Sequence, residues 1–217
     1  ETEQTSTPIS FKEAFNTLKQ TFLRARQYRS LFRFILIHFL VLDAVNTIIA
    51  FMAIYASKVI GFSSGQITSF LISSTLGAMI GSWIIGILVK HKGVIWSYWL
   101  VLGLWIVALF VTAVSQSEAL FWVVGPIAGV GMGGVWVVSR AFIVEYSPPE
   151  KVGEFFGLYG LAGKAASIMG PMLWGGVVWA LNSTETLKYR IAVIVLLGIV
   201  TIAAFLFRGL TRQLQHQ

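Results

Sequence analysis

Residues 119–146 read ALFWVVGPIAGVGMGGVWVVSRAFIVEY, and this stretch decides the fold class. Its two charged residues, Arg140 and Glu145, lie close to its end. A helix needs about 20 mostly apolar residues to cross the roughly 30 Å hydrocarbon core of a bilayer. The stretch is long enough and apolar enough to meet that requirement. It therefore predicts a helix that spans a membrane.

Five more apolar stretches of similar length flank it on both sides. The six predicted spans are Leu31–Ser57, Ile67–Val89, Val94–Val114, Ala119–Tyr146, Phe155–Leu181 and Ile191–Phe207. The chain of 217 residues is 56% apolar and 12% charged, whereas a soluble domain carries about 25% charged residues. This composition excludes a soluble globular protein. The expected fold is an all-α integral membrane bundle of six transmembrane helices over residues 31–207.

The lysines and arginines predict the orientation of the bundle, because cytoplasmic loops carry an excess of them. With the N-terminus inside, 11 of the 16 basic residues fall on the cytoplasmic side and three on the other. The 11 are Lys12, Lys19, Arg24, Arg26, Arg29, Arg33, Lys90, Lys92, Lys151, Arg208 and Arg212, and the three are Lys58, Lys188 and Arg190. We therefore expect both termini in the cytoplasm, with residues 208–217 as a cytoplasmic tail. The net charge of +7 then needs no nucleic-acid partner.

The segment before the first span has a different pattern. Ser10 and Glu13 have the spacing of a capping box, and an apolar face and a basic face follow. The apolar face consists of Phe11, Phe15, Leu18 and Phe22, and the basic face of Lys12, Lys19, Arg24 and Arg26. We expect an amphipathic helix over Ser10–Arg29, within a linker of residues 1–30, that lies on the cytoplasmic leaflet. It either anchors the chain or takes part in gating.

Small residues predict where helices pack closely. Gly125, Gly129 and Gly133 recur every four residues in the fourth span, and Gly77 and Gly81 do so in the second. Such stripes let two helix backbones approach each other in a bilayer. We expect these five glycines to lie at helix contacts.

Two charged residues lie deep within the spans. Asp43 is about 12 residues into the first span, roughly 18 Å at 1.5 Å per residue, and so near the midplane. Asn46 and Thr47 share its face, and Lys164 lies at a similar depth in the fifth span with Ser167 nearby. A charge at this depth costs a few kcal/mol, so it normally has a partner or faces a wet cavity. Asp43 and Lys164 are therefore a candidate ion pair, which either locks two helices or belongs to a transport path.

Another set of charges clusters towards the predicted cytoplasmic side. It consists of Lys90, Lys92, Arg140, Glu145 and Glu154. These residues either form a gating network or anchor helix ends at the interface.

The sequence resembles the C-terminal half of a major facilitator superfamily transporter. The loop Gly86-Ile-Leu-Val-Lys90-His-Lys-Gly93 is similar to the superfamily's G-x-x-x-D-R/K-x-G loop, except that Lys90 replaces the acidic residue. Two further patterns resemble the branch of vacuolar amino-acid effluxers and their bacterial relatives. They are Asp43-Ala-Val-Asn46-Thr47 and the run from Ser139-Arg-Ala-Phe142 through Glu154 and Lys164 to Gly170-Pro171.

This resemblance implies half of a secondary transporter, in which two six-helix bundles rock around a midplane site. Asp43, Asn46 and Thr47 would face the substrate path, with Lys164 on a flanking helix. The implied solute is small and amino-acid-like, and the implied coupling ion is a proton. The second bundle would be an N-terminal half, a homodimer mate or another membrane protein. The implied location is the bacterial inner membrane.

Three classes of function remain open at this point. The first is a secondary transporter, which the deep pair Asp43 and Lys164 favours. The second is a transporter-like scaffold that docks membrane proteins, towards which the missing acid at Lys90 leans slightly. The third is an enzyme, against which the sequence has no cysteine, three scattered histidines (His38, His91 and His216) and no hydrolase or metalloprotease motif. We expect no enzyme activity, no metal and no cofactor, and a structural role for His38.

Overall fold

The computed structural model describes residues 28–181 and 186–215, and this part of the chain is almost entirely helical. The six long helices are α1 (Arg29–Tyr55), α2 (Ser64–Lys92), α3 (Val94–Val114), α4 (Glu118–Tyr146), α5 (Val152–Ala180) and α6 (Leu187–Leu214). A π-helical turn, Ala56–Ile60, continues α1, and a 3₁₀ turn, Pro149–Lys151, precedes α5. The predicted all-α bundle is confirmed. The predicted surface helix falls mainly on residues 1–27, outside the described part.

Five of the six described helices have the hydropathy of a membrane-spanning helix, and α5 is less apolar. Five are long and apolar enough to cross a membrane: α1 with its π-helical turn, α2, α3, α4 and α6. Helix α5 has the length, at 29 residues, but contains Glu154, Lys164 and seven glycines. Glycine adds little hydropathy, so the fifth predicted span, Phe155–Leu181, is present as a helix of lower apolar character.

The end of α6 lies beyond its predicted position. The apolar run ends at Phe207, but the helix continues to Leu214 because its last turns still bury side chains against the bundle. Leu210 is 1% exposed and Thr211 7%. The predicted tail therefore begins as helix.

Glycine fixes the sharpest reversal of the chain. A single residue, Gly93, separates α2 from α3, and its φ is +83°. A left-handed φ is accessible to glycine without the steric cost of a Cβ. Helix α2 therefore runs through Lys90 and Lys92, where the sequence predicted a loop.

The contacts between helices follow a twofold pattern that relates α1–α3 to α4–α6. Helix α1 contacts α5 and α6, α4 contacts α2 and α3, and α3 contacts α6. Exchanging α1–α3 with α4–α6 leaves this set of contacts unchanged. Because the exchange shifts the chain by three crossings, the two groups enter a bilayer from opposite sides. This is the arrangement of inverted-topology repeats, which build many membrane transport folds.

Aromatic clusters fill the core towards both ends of the bundle. At one end the rings of Phe34 and Phe142 stack with centroids 3.7 Å apart, and Tyr98 packs 4.6 Å from Phe207. The other end has a second cluster, formed by Tyr55, Phe62, Phe70 and Phe121. These clusters hold α1, α3, α4 and α6 together at one end and α1, α2 and α4 at the other.

Candidate functional site

The five glycines of the two small-residue stripes all lie buried between α2 and α4. A Cβ built on Gly129 would stand 2.0 Å from the carbonyl oxygen of Ser74, and one on Gly133 would stand 2.2 Å from that of Ala78. Equivalent clashes face the other three: Gly77 with Pro126, Gly81 with Val130 and Gly125 with Phe70. At four of the five glycines the neighbours are backbone atoms, so no side chain can move aside there to admit a methyl group, and at Gly125 the neighbour is the Phe70 ring. The two backbones are in direct contact.

Asp43 is enclosed where α1 crosses α5. It is 3% exposed, and neighbouring Thr47 is fully buried and donates its hydroxyl hydrogen to the Asp43 carbonyl oxygen at 2.6 Å. Gly170 of α5 meets them: a Cβ there would stand 1.8 Å from Thr47 Oγ1 and 3.1 Å from Asp43 Oδ1. Within the described residues, Asp43 Oδ1 has no hydrogen-bond partner. Buried polar atoms almost always have one, so this crossing is the first candidate site.

Lys164 and Ser167 lie elsewhere, on the exposed face of α5. The Ser167 hydroxyl donates to the Lys164 carbonyl oxygen at 2.8 Å. Lys164 precedes Gly170 by six residues, which is roughly 9 Å along the helix and 240° around it. The expected ion pair with Asp43 is therefore not formed in this structure, because the α5 residue that meets Asp43 is Gly170. Asn46, one residue before Thr47, is half-buried.

The charges expected to form a gating network lie at or near helix ends. Lys90, Lys92, Arg140 and Glu145 are exposed, and Glu154 is half-buried. Successive helices alternate in direction, so the ends of α2 and α4 and the start of α5 lie at one end of the bundle. Arg140 departs from the expected pattern, because its guanidinium carbon lies 5.7 Å from the ring centroid of Trp136, one turn towards the middle of α4.

An open groove follows the outside of the α2–α4 contact. It consists of two adjoining cavities of about 360 and 520 Å³, and Thr75 lines both. The smaller cavity is lined mainly by apolar side chains of α1, α2 and α4, and the larger one contains Trp136 and Arg140. We call the two together the α2–α4 groove. The sequence alone did not indicate it, because residues that line a groove and residues that face lipid have the same apolar pattern.

His38 lies outside these sites, in the core. Its Nδ1 is 3.2 Å from the hydroxyl of Tyr98, and its ring stacks on Tyr159 with centroids 5.1 Å apart. The Tyr159 hydroxyl is 3.0 Å from Ser139 Oγ. The imidazole of α1 therefore contacts α3 and α5, and Tyr159 extends these contacts to α4, while His38 Nε2 has no hydrogen-bond partner among the described residues. Among the described residues, no three His, Asp or Glu side chains gather where they could hold a metal ion.

Comparison with known proteins gives the family. The sequence profile described as "Vacuole effluxer Atg22 like" matches residues 2–215 of the chain. The chain belongs to the vacuole effluxer Atg22-like family. The branch that the Asp43 and Lys164 patterns indicated is confirmed, and with its apolar helices this Atg22-like chain is an integral, multi-pass membrane protein.

Three relatives of the Atg22-like chain show how much of a longer protein it matches. It is 29% identical over 190 residues to the uncharacterized MFS-type transporter YxiO of Bacillus subtilis, covering 88% of this chain and 44% of the relative. It is 23% identical to autophagy-related protein 22 of Kluyveromyces lactis, covering 88% and 40%. It is 19% identical to the proton-coupled antiporter flippase LtaA of Staphylococcus saprophyticus, covering 70% and 39%. The chain thus spans less than half the length of these curated relatives.

Proposed function

We propose that this chain forms one six-helix half of a secondary active transporter, which moves a small, amino-acid-like solute by alternating access. The inverted three-helix repeats support this, because such repeats build each six-helix half of a major facilitator transporter, in which the two halves rock against each other. The names of the relatives support it too, since two of them are transporters of the MFS type or antiporters. In this proposal both termini lie in the cytoplasm and the membrane is the bacterial inner membrane.

The observation that carries the proposal is the buried Oδ1 of Asp43 at the α1–α5 crossing, which has no hydrogen-bond partner among the described residues. A charged carboxylate inside a membrane bundle is costly without a partner. Asp43 therefore stays enclosed while it carries a proton, and loss of that proton favours opening of the crossing to water. Asn46 and Thr47 lie on the same stretch of α1 and would accompany this change. Proton movement is in this way coupled to the spacing of two helices.

The solute would meet the exposed polar residues of α5. Lys164 supplies a cation and Ser167 a hydroxyl on a face that has no cover in the described part of the chain. A carboxylate of an amino-acid-like solute would bind such a cation. In this proposal a second six-helix bundle lies against this face of α5 and lines the other side of the solute path. That bundle is an N-terminal half, a homodimer mate or another membrane protein. The charges Lys90, Lys92, Glu145 and Glu154 would close the cytoplasmic end.

Vesicles from the native membrane test this proposal, because they contain the chain with its own partners. Uptake of radiolabelled amino acids is measured under an imposed proton gradient, in the wild type, in Asp43→Asn and in the control Glu118→Gln. Glu118 is an exposed carboxylate at the start of α4. We expect Asp43→Asn to remove gradient-driven uptake and Glu118→Gln to leave it unchanged. Wild-type uptake in Asp43→Asn would refute the coupling role, and a wild type without solute uptake would favour the scaffold.

A further inference from the structure

We propose that the α2–α4 groove binds an amphipathic anion, with a carboxylate or phosphate at Arg140 and an apolar chain in the smaller cavity. This site is separate from the Asp43 crossing and is an addition to the proposed transport function. Three observations carry it: the two cavities adjoin at Thr75, Arg140 lines the larger one, and the smaller one has an apolar lining.

The groove follows two helices whose backbones are in contact. Residues of α4 that line it recur every four positions, so they form one stripe: Ala128, Met132, Trp136 and Arg140. Twelve residues of helix span roughly 18 Å. Because the glycines bring the α2 and α4 backbones into contact, larger side chains stand on either side of the contact and leave the groove open between them.

Arg140 is the charged end of the groove. It is the one charged residue among the described residues that line the larger cavity, and it has no carboxylate partner in the described part of the chain. The hydroxyls of Thr75 and Ser82 already donate to carbonyl oxygens of their own helix, each at 2.8 Å. The guanidinium therefore supplies the free donors, in a fork that matches a carboxylate or a phosphate.

The Arg140 side chain leans towards the preceding turn of α4, as the side chains of helices usually do. Its guanidinium carbon lies 5.7 Å from the ring centroid of Trp136, another residue that lines the groove. The cation is thus held along the groove, six residues before the last residue of α4.

The smaller cavity fits an apolar chain. It is lined by Ile48, Ile49 and Met52 of α1, by Leu71 of α2 and by Met132 of α4, together with small residues. Trp105 also lines it, and the Nε1–H of this buried indole has no acceptor among the described residues. The apolar chain would pack against the ring of Trp105, while the head group lies at Arg140 in the larger cavity.

The two ends together select the class of ligand. A small hydrophilic anion would pair with Arg140 but leave the apolar cavity unfilled. A neutral apolar molecule would fill the cavity but leave Arg140 without a counter-charge. An anion on an apolar chain satisfies both, which is the charge complementarity that a specific site requires.

Binding of four probes to the full chain in zwitterionic lipid nanodiscs tests the proposal. The radiolabelled probes are dodecanoate, dodecyl phosphate, dodecanol and acetate, and empty nanodiscs give the partitioning background. We expect saturable binding of the two amphipathic anions and much weaker binding of acetate. Arg140→Gln should raise the Kd of both anions about tenfold or more and leave that of dodecanol unchanged. Arg140→Lys should retain part of the affinity.

The control variant is Arg208→Gln, which removes an exposed arginine of α6 outside the groove. Ile49→Trp should fill the apolar cavity, and because Ile49 is 45% exposed the fold should accept it. It should weaken binding of dodecanoate, dodecyl phosphate and dodecanol alike.

Equal effects of Arg140→Gln and Arg208→Gln, or acetate binding as tight as dodecanoate binding, would overturn the proposal. The preferred anion assigns the headgroup as carboxylate or phosphate. Asp43→Asn should leave these affinities unchanged, so this inference and the transport proposal can fail separately.

Discussion

At the scale of single residues, the structure separates two charges that the sequence placed together. The face of a helix can be read from sequence spacing, so Asp43, Asn46 and Thr47 could be grouped correctly. Spacing does not show which residue of another helix lies opposite. That depends on where the backbones approach most closely, and for α1 and α5 the point is Gly170, since the absence of a Cβ there leaves room for Thr47 and Asp43. Lys164 is left on the outer face.

This separation predicts the outcome of a double-mutant cycle with Asp43→Asn and Lys164→Ala. Because the side chains are not paired in this structure, their effects on unfolding should add to within about 0.5 kcal/mol. Gradient-driven uptake should instead show coupling if the two meet in another access state, so that the double variant is less impaired than the single effects combined. Denaturant titration in micelles and vesicle uptake measure the two quantities. Strong coupling in stability would show that the pair already exists in the resting fold.

At the scale of helices, the backbone contact between α2 and α4 follows from their glycines. The spacing of the small residues indicates such a contact, because stripes of this kind let two helix backbones approach each other in a bilayer. The start of α3 was predicted at Val94, directly after Gly93, and lies there, but helix ends were predicted less well, since α2 continues from Val89 to Lys92. They were missed in α6, where amphipathic turns continue the helix after the apolar run has ended.

Gly129→Ala tests this contact, with Gly198→Ala in α6 as the matched control. A methyl group at Gly129 would meet the backbone of Ser74 at 2.0 Å, whereas nothing lies within 4 Å of the same group at Gly198. We expect Gly129→Ala to lower the free energy of unfolding by about 1–3 kcal/mol. Gly198→Ala should be neutral or stabilising, because alanine favours a helix by about 1 kcal/mol over glycine. Equal stability of the two variants would contradict the close contact.

At the scale of the whole molecule, the inverted repeat and the distribution of basic residues both predict that the two ends of the chain lie on the same side of the membrane. An even number of crossings returns the chain to its starting side, and the basic residues place that side in the cytoplasm. The composition predicted the membrane bundle and its helix count, but the pairing of helices across the repeat appears only in the structure.

The chain has no cysteine, so single cysteines can report its topology. Gln116→Cys lies in the connection between α3 and α4, and Gln215→Cys follows α6; both positions are exposed. In intact cells an impermeant maleimide should label the first and reach the second only after permeabilisation. Labelling of both from one side would rule out the six-crossing arrangement with cytoplasmic ends.

The modest hydropathy of α5 has a consequence for biogenesis. A lysine near the centre of a segment opposes its release into lipid by about 2.5–3.5 kcal/mol on translocon scales, and α5 has Lys164 and seven glycines to set against few strongly apolar side chains. During synthesis α5 should therefore remain at the protein-conducting channel until α6 emerges, and then enter the bilayer with that helix and against α1. The residues that make α5 suitable for a wet path are the same ones that make its insertion depend on its neighbours.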